Sequence, residues 1–219
     1  MYKSVISFVG SSGSGKTTLI EKVIKKLTED GYKVGAIKHD AHRFEIDKPG
    51  KDSYRFKDAG ALISTISSSE KIAFVKSHEN LELTIEEIIV RYFSDVDIII
   101  TEGYKKSNVP KIEVYRIGNG NQPVMFDNPH LVGIATNANL EEINSRLAKS
   151  GCKTNPVIFD INDFESIVSF IEKIIKPNNI NIKITGIGEQ KGEILKKMLM
   201  SLKFIEFDSI NIDINKKSE

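Results

Sequence analysis

Eight residues near the amino terminus carry the first chemistry. Gly10-Ser11-Ser12-Gly13-Ser14-Gly15-Lys16-Thr17 satisfies the phosphate-loop spacing Gly-x-x-x-x-Gly-Lys-Thr at every fixed position. Each residue type has a physical reason. Glycines let backbone N–H groups turn inward around phosphate oxygens, and the helix that follows adds the positive end of its dipole. Lys16 is placed to reach the β- and γ-phosphates, the Thr17 hydroxyl to ligate Mg²⁺, and Thr18 to approach the α-phosphate. The segment is therefore expected to hold the triphosphate of a purine nucleotide.

Val96-Asp97-Ile98-Ile99-Ile100-Thr101-Glu102-Gly103 supplies a second half for such a site. An apolar strand that ends in a carboxylate sets that carboxylate at the carboxyl edge of a sheet, where open α/β sheets bind ligands. Glu102 is then the candidate for holding Mg²⁺ through water or for orienting an attacking water. A surface ion pair with Lys105 or Lys106 is the plainer alternative. Asp97, at the other end of the strand, reads as structural. Lys38-His39-Asp40-Ala41-His42 follows another strand, and Asp40 is a further candidate Mg²⁺ group. Two histidines three apart around an aspartate also suit a transition metal, but His78 and His130 are isolated and no cysteine cluster accompanies them.

These residues need a scaffold. Val5 to Val9 is a short β-rich run that stops at Gly10. Leu19, Ile20, Val23, Ile24 and Leu27 share one helical face, Gly31 ends that helix, and Val34 to Ile37 is a strand. Strand, loop, helix and strand in this order form a βαβ unit, which requires a parallel sheet covered by helices. A helix is predicted from Asp52 to Ala59, and a hairpin from Leu62 to Ile66 and Ile72 to Val75. Thr84 and Glu87 make a capping-box pattern. Further strands are expected at Val96 to Ile100, Ile112 to Tyr115, Leu131 to Ala135 and Val157 to Phe159. Helices are expected at Leu140 to Lys149 and Phe164 to Ile175, the second begun by Asn162. The fold class is α/β: a mostly parallel sheet of the phosphate-loop NTPase type flanked by helices, with a β-hairpin insertion.

Pro177-Asn178-Asn179 reads as a linker, which divides the chain into a nucleotide-binding domain at 1–176 and a small α/β extension at 177–219. The extension holds alternating runs at Ile180 to Ile184 and Ile210 to Ile214, with a helix near Ile194 to Leu202.

The chain has 219 residues, 40% hydrophobic and 28% charged, with a formal net charge of +1. That balance supplies no overall field for nucleic acid or an anionic membrane, so neither is an expected partner. No apolar stretch approaches the roughly 20 residues that span a bilayer. The single Cys152 excludes an internal disulfide framework and fits a cytoplasmic location.

The blocks also carry a family resemblance. The phosphate loop is followed by Ile37-Lys38-His39-Asp40-Ala41-His42, then Phe44-Glu45-Ile46-Asp47, Pro49-Gly50-Lys51-Asp52-Ser53 and Ala59-Gly60-Ala61. Thr101-Glu102-Gly103-Tyr104-Lys105 and Lys111-Ile112-Glu113-Val114 come next. In this order they resemble the MobB family, the GTP-binding adaptors of molybdopterin guanine dinucleotide biosynthesis. The resemblance spans 3–176. It implies a usually dimeric P-loop GTPase with weak intrinsic hydrolysis, using GTP and Mg²⁺. It also implies a partner, the molybdenum cofactor guanylyltransferase that joins GMP to Mo-molybdopterin, with molybdopterin itself a second candidate ligand. Lys16 and Glu102 carry over as the reacting groups, Gly10 to Thr18 as the triphosphate site, and Thr17, Asp40 and Glu102 as the Mg²⁺ groups. Asp47 to Ser53 match a loop for phosphate, cofactor or partner contact, and Arg55 is a conceivable charge-stabilising residue. Where the family tends to carry Thr-Asp, this chain has Thr136-Asn137, so the candidate base reader Asn137 offers a hydrogen bond without a charge.

No Asp-x-x-Gly with a water-positioning glutamine is visible and no arginine is marked as a finger, so slow basal hydrolysis is expected. Two other P-loop classes remain as alternatives. A small-molecule kinase would show an arginine-rich lid, and a nickel-insertion GTPase a histidine-rich tract or Cys-x-x-His motif; the sequence contains neither. A degenerate binding module is the third, against which Lys16 and Thr17 are intact.

Overall fold

The first strand, β1 (Ser4–Val9), is apolar on both faces and buried along most of its length, as a strand covered on both sides must be. The computed structural model describes residues 4–40, 45–77, 82–118, 120, 122–175, 180–185 and 210–215. In chain order the elements are β1, α1 (Lys16–Glu29), β2 (Val34–Lys38), α2 (Asp52–Asp58), β3 (Ile63–Ser67), β4 (Ile72–Lys76) and α3 (Ile85–Tyr92). They continue with β5 (Ile98–Glu102), β6 (Lys111–Tyr115), β7 (Leu131–Thr136), α4 (Leu140–Ser150), β8 (Val157–Asp160) and α5 (Phe164–Ile175). Two further strands, β9 (Ile180–Thr185) and β10 (Ile210–Asn215), pair in parallel as a sheet of their own. The helix expected near Ile194 to Leu202 lies outside the described residues.

Two compact units are present: Met1–His39 with Ile88–Glu219, and Asp40–Glu87. The first holds a six-stranded sheet in the order β2-β5-β1-β6-β7-β8, every neighbouring pair parallel. Its connections run to one side of β1 through β2 and β5 and to the other from β6 onward. The reversal at β1 creates the crevice at the carboxyl ends of the strands where such sheets bind ligands.

Alternation in the strands assigns the core to two faces. Ile6 and Phe8 of β1, Ile98 and Ile100 of β5, and Ile112 and Val114 of β6 meet Leu19, Ile20, Val23 and Leu27 of α1 and Ile167, Val168 and Ile171 of α5. Val9, Tyr115 and Ile134 pack with Ile143 of α4 and with Met125 and Phe126. Burying each of the large aliphatic side chains is worth about 1.5–3 kcal/mol, which is what clamps α1, and so the loop before it, onto the sheet.

The cap of α5 falls one residue later than the sequence suggests. Asp163 accepts from the Ser166 backbone N–H at 3.1 Å and from its hydroxyl at 2.6 Å, whereas Asn162 gives its own N–H to Asp160 at 2.8 Å. Both candidates suit a cap, and the turn leaving β8 decides between them.

In the second unit, β3 and β4 form the expected antiparallel hairpin, with Thr65 opposite Phe74. The Ser64 hydroxyl donates to the Ser53 carbonyl at 2.9 Å and ties β3 to α2; the Ser53 hydroxyl donates to Asp47 at 2.9 Å. Thr84 and Glu87 close the capping box reciprocally, with Glu87 N–H to Thr84 Oγ1 at 3.2 Å and Thr84 N–H to Glu87 Oε2 at 2.9 Å.

Candidate functional site

Gly10 leaves β1 with φ 145°, a backbone conformation that side chains rarely adopt. A Cβ there would lie 2.4 Å from the Val114 carbonyl oxygen of β6. Glycine is thus required on two counts, and the loop can turn only because β6 runs this close beneath it. The turn is tied by the Ser14 N–H to the Ser11 carbonyl at 3.4 Å, and it delivers the chain to Gly15, the N-cap of α1, at φ 92°.

Lys16 opens α1. Its Nζ donates to the Ser11 carbonyl at 2.7 Å, which holds the ammonium over the loop. Partial burial lowers its pKa; Glu102 opposes the shift, while Lys105 and Lys38 reinforce it. Three cations and one carboxylate are therefore within electrostatic reach of each other at this end of the sheet.

Thr17 Oγ1 donates to Glu102 Oε2 at 2.9 Å. The contact joins residues 85 apart in sequence and takes the place of the surface pairing with Lys105 or Lys106. Glu102 is fixed from several directions. Lys38 stands beside it in the β2–β5 register, and the Glu102 carbonyl accepts from the His39 N–H at 2.9 Å. Gly103 N–H reaches the Phe8 carbonyl at 3.0 Å, and the Ser7 hydroxyl donates back to the Gly103 carbonyl at 2.6 Å. The His39 ring lies tilted at 47° against Tyr104, centroids 4.8 Å apart, and Tyr104 is a non-glycine residue held at φ 51°. A hydroxyl and a carboxylate meeting beside a phosphate loop are hard oxygen donors of the kind Mg²⁺ takes together with water and phosphate.

Asp97 has the structural role its position suggested, accepting from the Lys33 N–H at 2.7 Å where β2 and β5 begin. Asp40 is the first residue of the second unit. His42 lies outside the described residues, as does His78, and among the described residues no group of three His, Cys, Asp or Glu side chains is gathered.

Asn137 follows β7, and its Oδ1 accepts from the Ile117 N–H at 2.9 Å. One acceptor position is thus used to fix the backbone after β6, and the amide Nδ2 supplies the residue's donors.

Three charged residues on or just after β6 were not singled out by type and spacing. Lys111, Glu113 and Arg116 lie on or just after β6, where alternation with Ile112 and Val114 suggests one solvated face. Instead Lys111 and Glu113 are buried under the loops flanking β6. Lys111 Nζ donates to the Ser107 and Val109 carbonyls at 2.5 and 2.9 Å, and burial lowers its pKa to about 8. Glu113 accepts from the Val124 and Met125 N–H groups at 2.6 and 2.9 Å. Burial pushes its pKa up to about 7 against those two bonds. Arg116 lies against the phosphate loop, with Nε 3.3 Å and Nη2 3.6 Å from the point where a Gly15 Cβ would sit.

A phosphate loop after a central parallel strand, a threonine bonded to a carboxylate from the neighbouring strand, and a helical layer on the sheet are P-loop NTPase features, and several known proteins are similar to this chain. The family model for molybdopterin guanine dinucleotide synthesis protein B, MobB, matches residues 5–137. The molybdopterin-guanine dinucleotide biosynthesis adapter protein of Escherichia coli strain K12 is 31% identical over 179 residues, 80% of this chain and 95% of that relative. The adapter protein of the same description from Haemophilus influenzae is 30% identical over 169 residues, 77% of this chain and 87% of the relative. A crystal structure of molybdopterin-guanine biosynthesis protein B superposes with TM-score 0.59 at 26% identity, covering 78% of this chain and 99% of that one. With the match extending through the phosphate loop, β5 and β6 to Asn137, the chain belongs to the MobB family.

Proposed function

We propose that this protein is a GTP-binding adaptor that assists the attachment of GMP to molybdopterin. The observation that carries the reading is the Thr17–Glu102 hydrogen bond beside Lys16, which sets a metal-ligating hydroxyl and a carboxylate at the mouth of a phosphate loop. Membership in the MobB family supplies the biosynthetic context.

In this reading the N–H groups from Gly10 to Thr18 and the Lys16 ammonium bind the triphosphate. Thr17 and Glu102 hold Mg²⁺. The ion supplies charge neutralisation on the β- and γ-phosphates. Asn137 faces the guanine edge through its amide. Hydrolysis is slow without a partner, because the family context calls for a held nucleotide rather than rapid turnover. The partner is the molybdenum cofactor guanylyltransferase, with molybdopterin as a further ligand. The active form is a homodimer, a reading supported by the exposed Ile63, Ile72 and Phe74 on the hairpin, which supply apolar surface for a second copy. The location is cytoplasmic: the single cysteine suits a reducing compartment, and among the described residues no helix is long and apolar enough to cross a membrane. Residues 1–176 are the nucleotide-binding domain and 177–219 an extension to it. The kinase and nickel-insertion alternatives are not favoured, because the family match runs through all the nucleotide-site blocks.

Calorimetric titration with GTP and ATP, each with Mg²⁺, against the protein and its Lys16→Ala variant tests the reading. Expected is GTP binding that the variant loses and weak binding of ATP. Equal affinity for the two nucleotides would remove the guanine-specific assignment.

A further inference from the structure

Arg116 presents a problem in electrostatics. It follows β6, whose register with β1 puts Glu113 opposite Val9, so the chain after Val114 passes beneath Gly10 and reaches the start of α1. There the guanidinium lies flat enough on Gly15 that Nε, Nη2 and Cζ all fall within 3.9 Å of a built Cβ. Gly15 is the N-cap of α1, so Arg116 sits at the positive end of that helix, beside the residue that precedes Lys16. Cations are stabilised at helix carboxyl termini and destabilised at amino termini. Among the described residues no carboxylate forms an ion pair with Arg116. The backbone that carries the arginine is held in place. The peptide that follows it donates from Ile117 N–H to Asn137 Oδ1, and the onward loop is pinned by Glu113 through Val124 and Met125.

A guanidinium set against a helix amino terminus, with no ion-pair partner among the described residues, is arranged for an anion. We propose that Arg116 is a phosphate ligand for the bound nucleotide, meeting the α- and β-phosphates from the β6 side of the loop while Lys16 meets the chain from within. The fork of two N–H donors suits phosphate oxygens bidentately, which a lysine in its place would not reproduce. The α- and β-phosphates are common to GDP and GTP, so Arg116 strengthens binding of both and does not distinguish the reacting phosphoryl group. This inference rests on the nucleotide-binding reading above.

The test measures dissociation constants of GTP and GDP, with Mg²⁺, for the full chain and for Lys16→Ala, Arg116→Met and Arg116→Lys. Thermal midpoints are recorded alongside. Methionine keeps an aliphatic cover on Gly15 without the charge. Expected is a weakening of about ten- to a hundredfold for GTP and GDP alike in Arg116→Met, the scale of one lost charge-assisted contact. Arg116→Lys should fall between the methionine variant and the parent, with both midpoints unchanged. Should Arg116→Met be unstable, the lysine variant alone decides, because it retains the charge and loses only the fork. Parental affinity in Arg116→Met, or in Arg116→Lys if that is the only folded variant, would overturn the proposal and leave Arg116 as cover for Gly15. A loss confined to GTP would overturn it too, placing the arginine on the γ-phosphate instead. Failure of the parent chain to bind either nucleotide is a separate result, which removes the nucleotide reading itself.

Discussion

Thr17 Oγ1 donates to Glu102 Oε2 at 2.9 Å, joining the first turn of α1 to the last residue of β5. In the proposed site the two residues act together, the hydroxyl as a Mg²⁺ ligand and the carboxylate as the group that orients what lies around the ion. Replacing Thr17 by Val keeps the shape and removes the hydroxyl. The expected outcome is GTP affinity that no longer responds to Mg²⁺, whereas chelating Mg²⁺ weakens binding to the parent by about tenfold or more, on the scale of losing a charged contact. Titrations with Mg²⁺ and with EDTA check this; a Thr17→Val protein that still responds to Mg²⁺ would exclude Thr17 as a ligand.

Two glycines of the loop should differ sharply. Gly10→Ala puts a methyl 2.4 Å from the Val114 carbonyl at φ 145°, whereas a Cβ at Gly13 meets nothing within 4 Å at φ 73°. Unfolding in urea should show Gly10→Ala destabilised by more than about 3 kcal/mol, because strain and a backbone clash add. Gly13→Ala should cost about 1 kcal/mol, the left-handed conformation alone. Equal losses would mean that β6 is not packed beneath the loop.

Glu113 makes stability depend on pH in an unusual direction. Its folded pKa, about 7, lies above its ordinary value of 4.5, so the folded state binds the proton more tightly than the unfolded chain. Stability is then highest below about 4.5 for this group and falls as pH rises through about 7, by about 3 kcal/mol at most. Glu113→Gln should flatten that fall while costing stability at low pH, because the amide oxygen can accept from Val124 or Met125 and its NH₂ opposes the other N–H. Denaturation midpoints from pH 5 to 8.5 for both proteins check it. A parent curve that rises with pH in step with the glutamine variant would refute the burial effect.

Asp163 rather than Asn162 caps α5. Asp163→Ala should lower stability by about 1 kcal/mol, the usual worth of a cap, and Asn162→Ala by clearly less. The order of the two thermal midpoints is the readout; a larger loss at Asn162 would return the cap to that residue.

The parts of this fold legible in the sequence are those whose causes are local. β1, the phosphate loop and α1 follow one another within a single βαβ unit, and their glycine spacing, apolar run and helical stripe agree. Thr84 and Glu87 satisfy each other three residues apart, so their box is legible too. Glu102 could be placed because a strand of buried apolar residues ends in it. The polar residues of β6 were not legible, for a reason of the opposite kind. Lys111 and Glu113 alternate with Ile112 and Val114 like an exposed polar face, but the Ser107 and Val109 carbonyls and the Val124 and Met125 N–H groups satisfy them. Those contacts depend on tertiary folding and leave no periodic trace. Arg116 was invisible likewise, since nothing in the sequence near it indicates that Gly15 lies beside it. Asn137 was legible as a residue at the right strand end, although its tie to the Ile117 peptide was not.

β2 and β5 are hydrogen-bonded neighbours in the sheet, Val34 beside Ile98 and Lys38 beside Glu102. Everything between them in sequence, including the whole Asp40–Glu87 unit, is therefore one crossover connection. None of the pairings in the six-stranded sheet passes through that unit. It can lengthen, shorten or be exchanged for another module without shifting the register of any strand that carries the phosphate loop, Glu102 or Arg116. The architecture thus separates two kinds of constraint, a phosphate-loop platform held strand by strand and an insert whose length the register of the sheet does not fix.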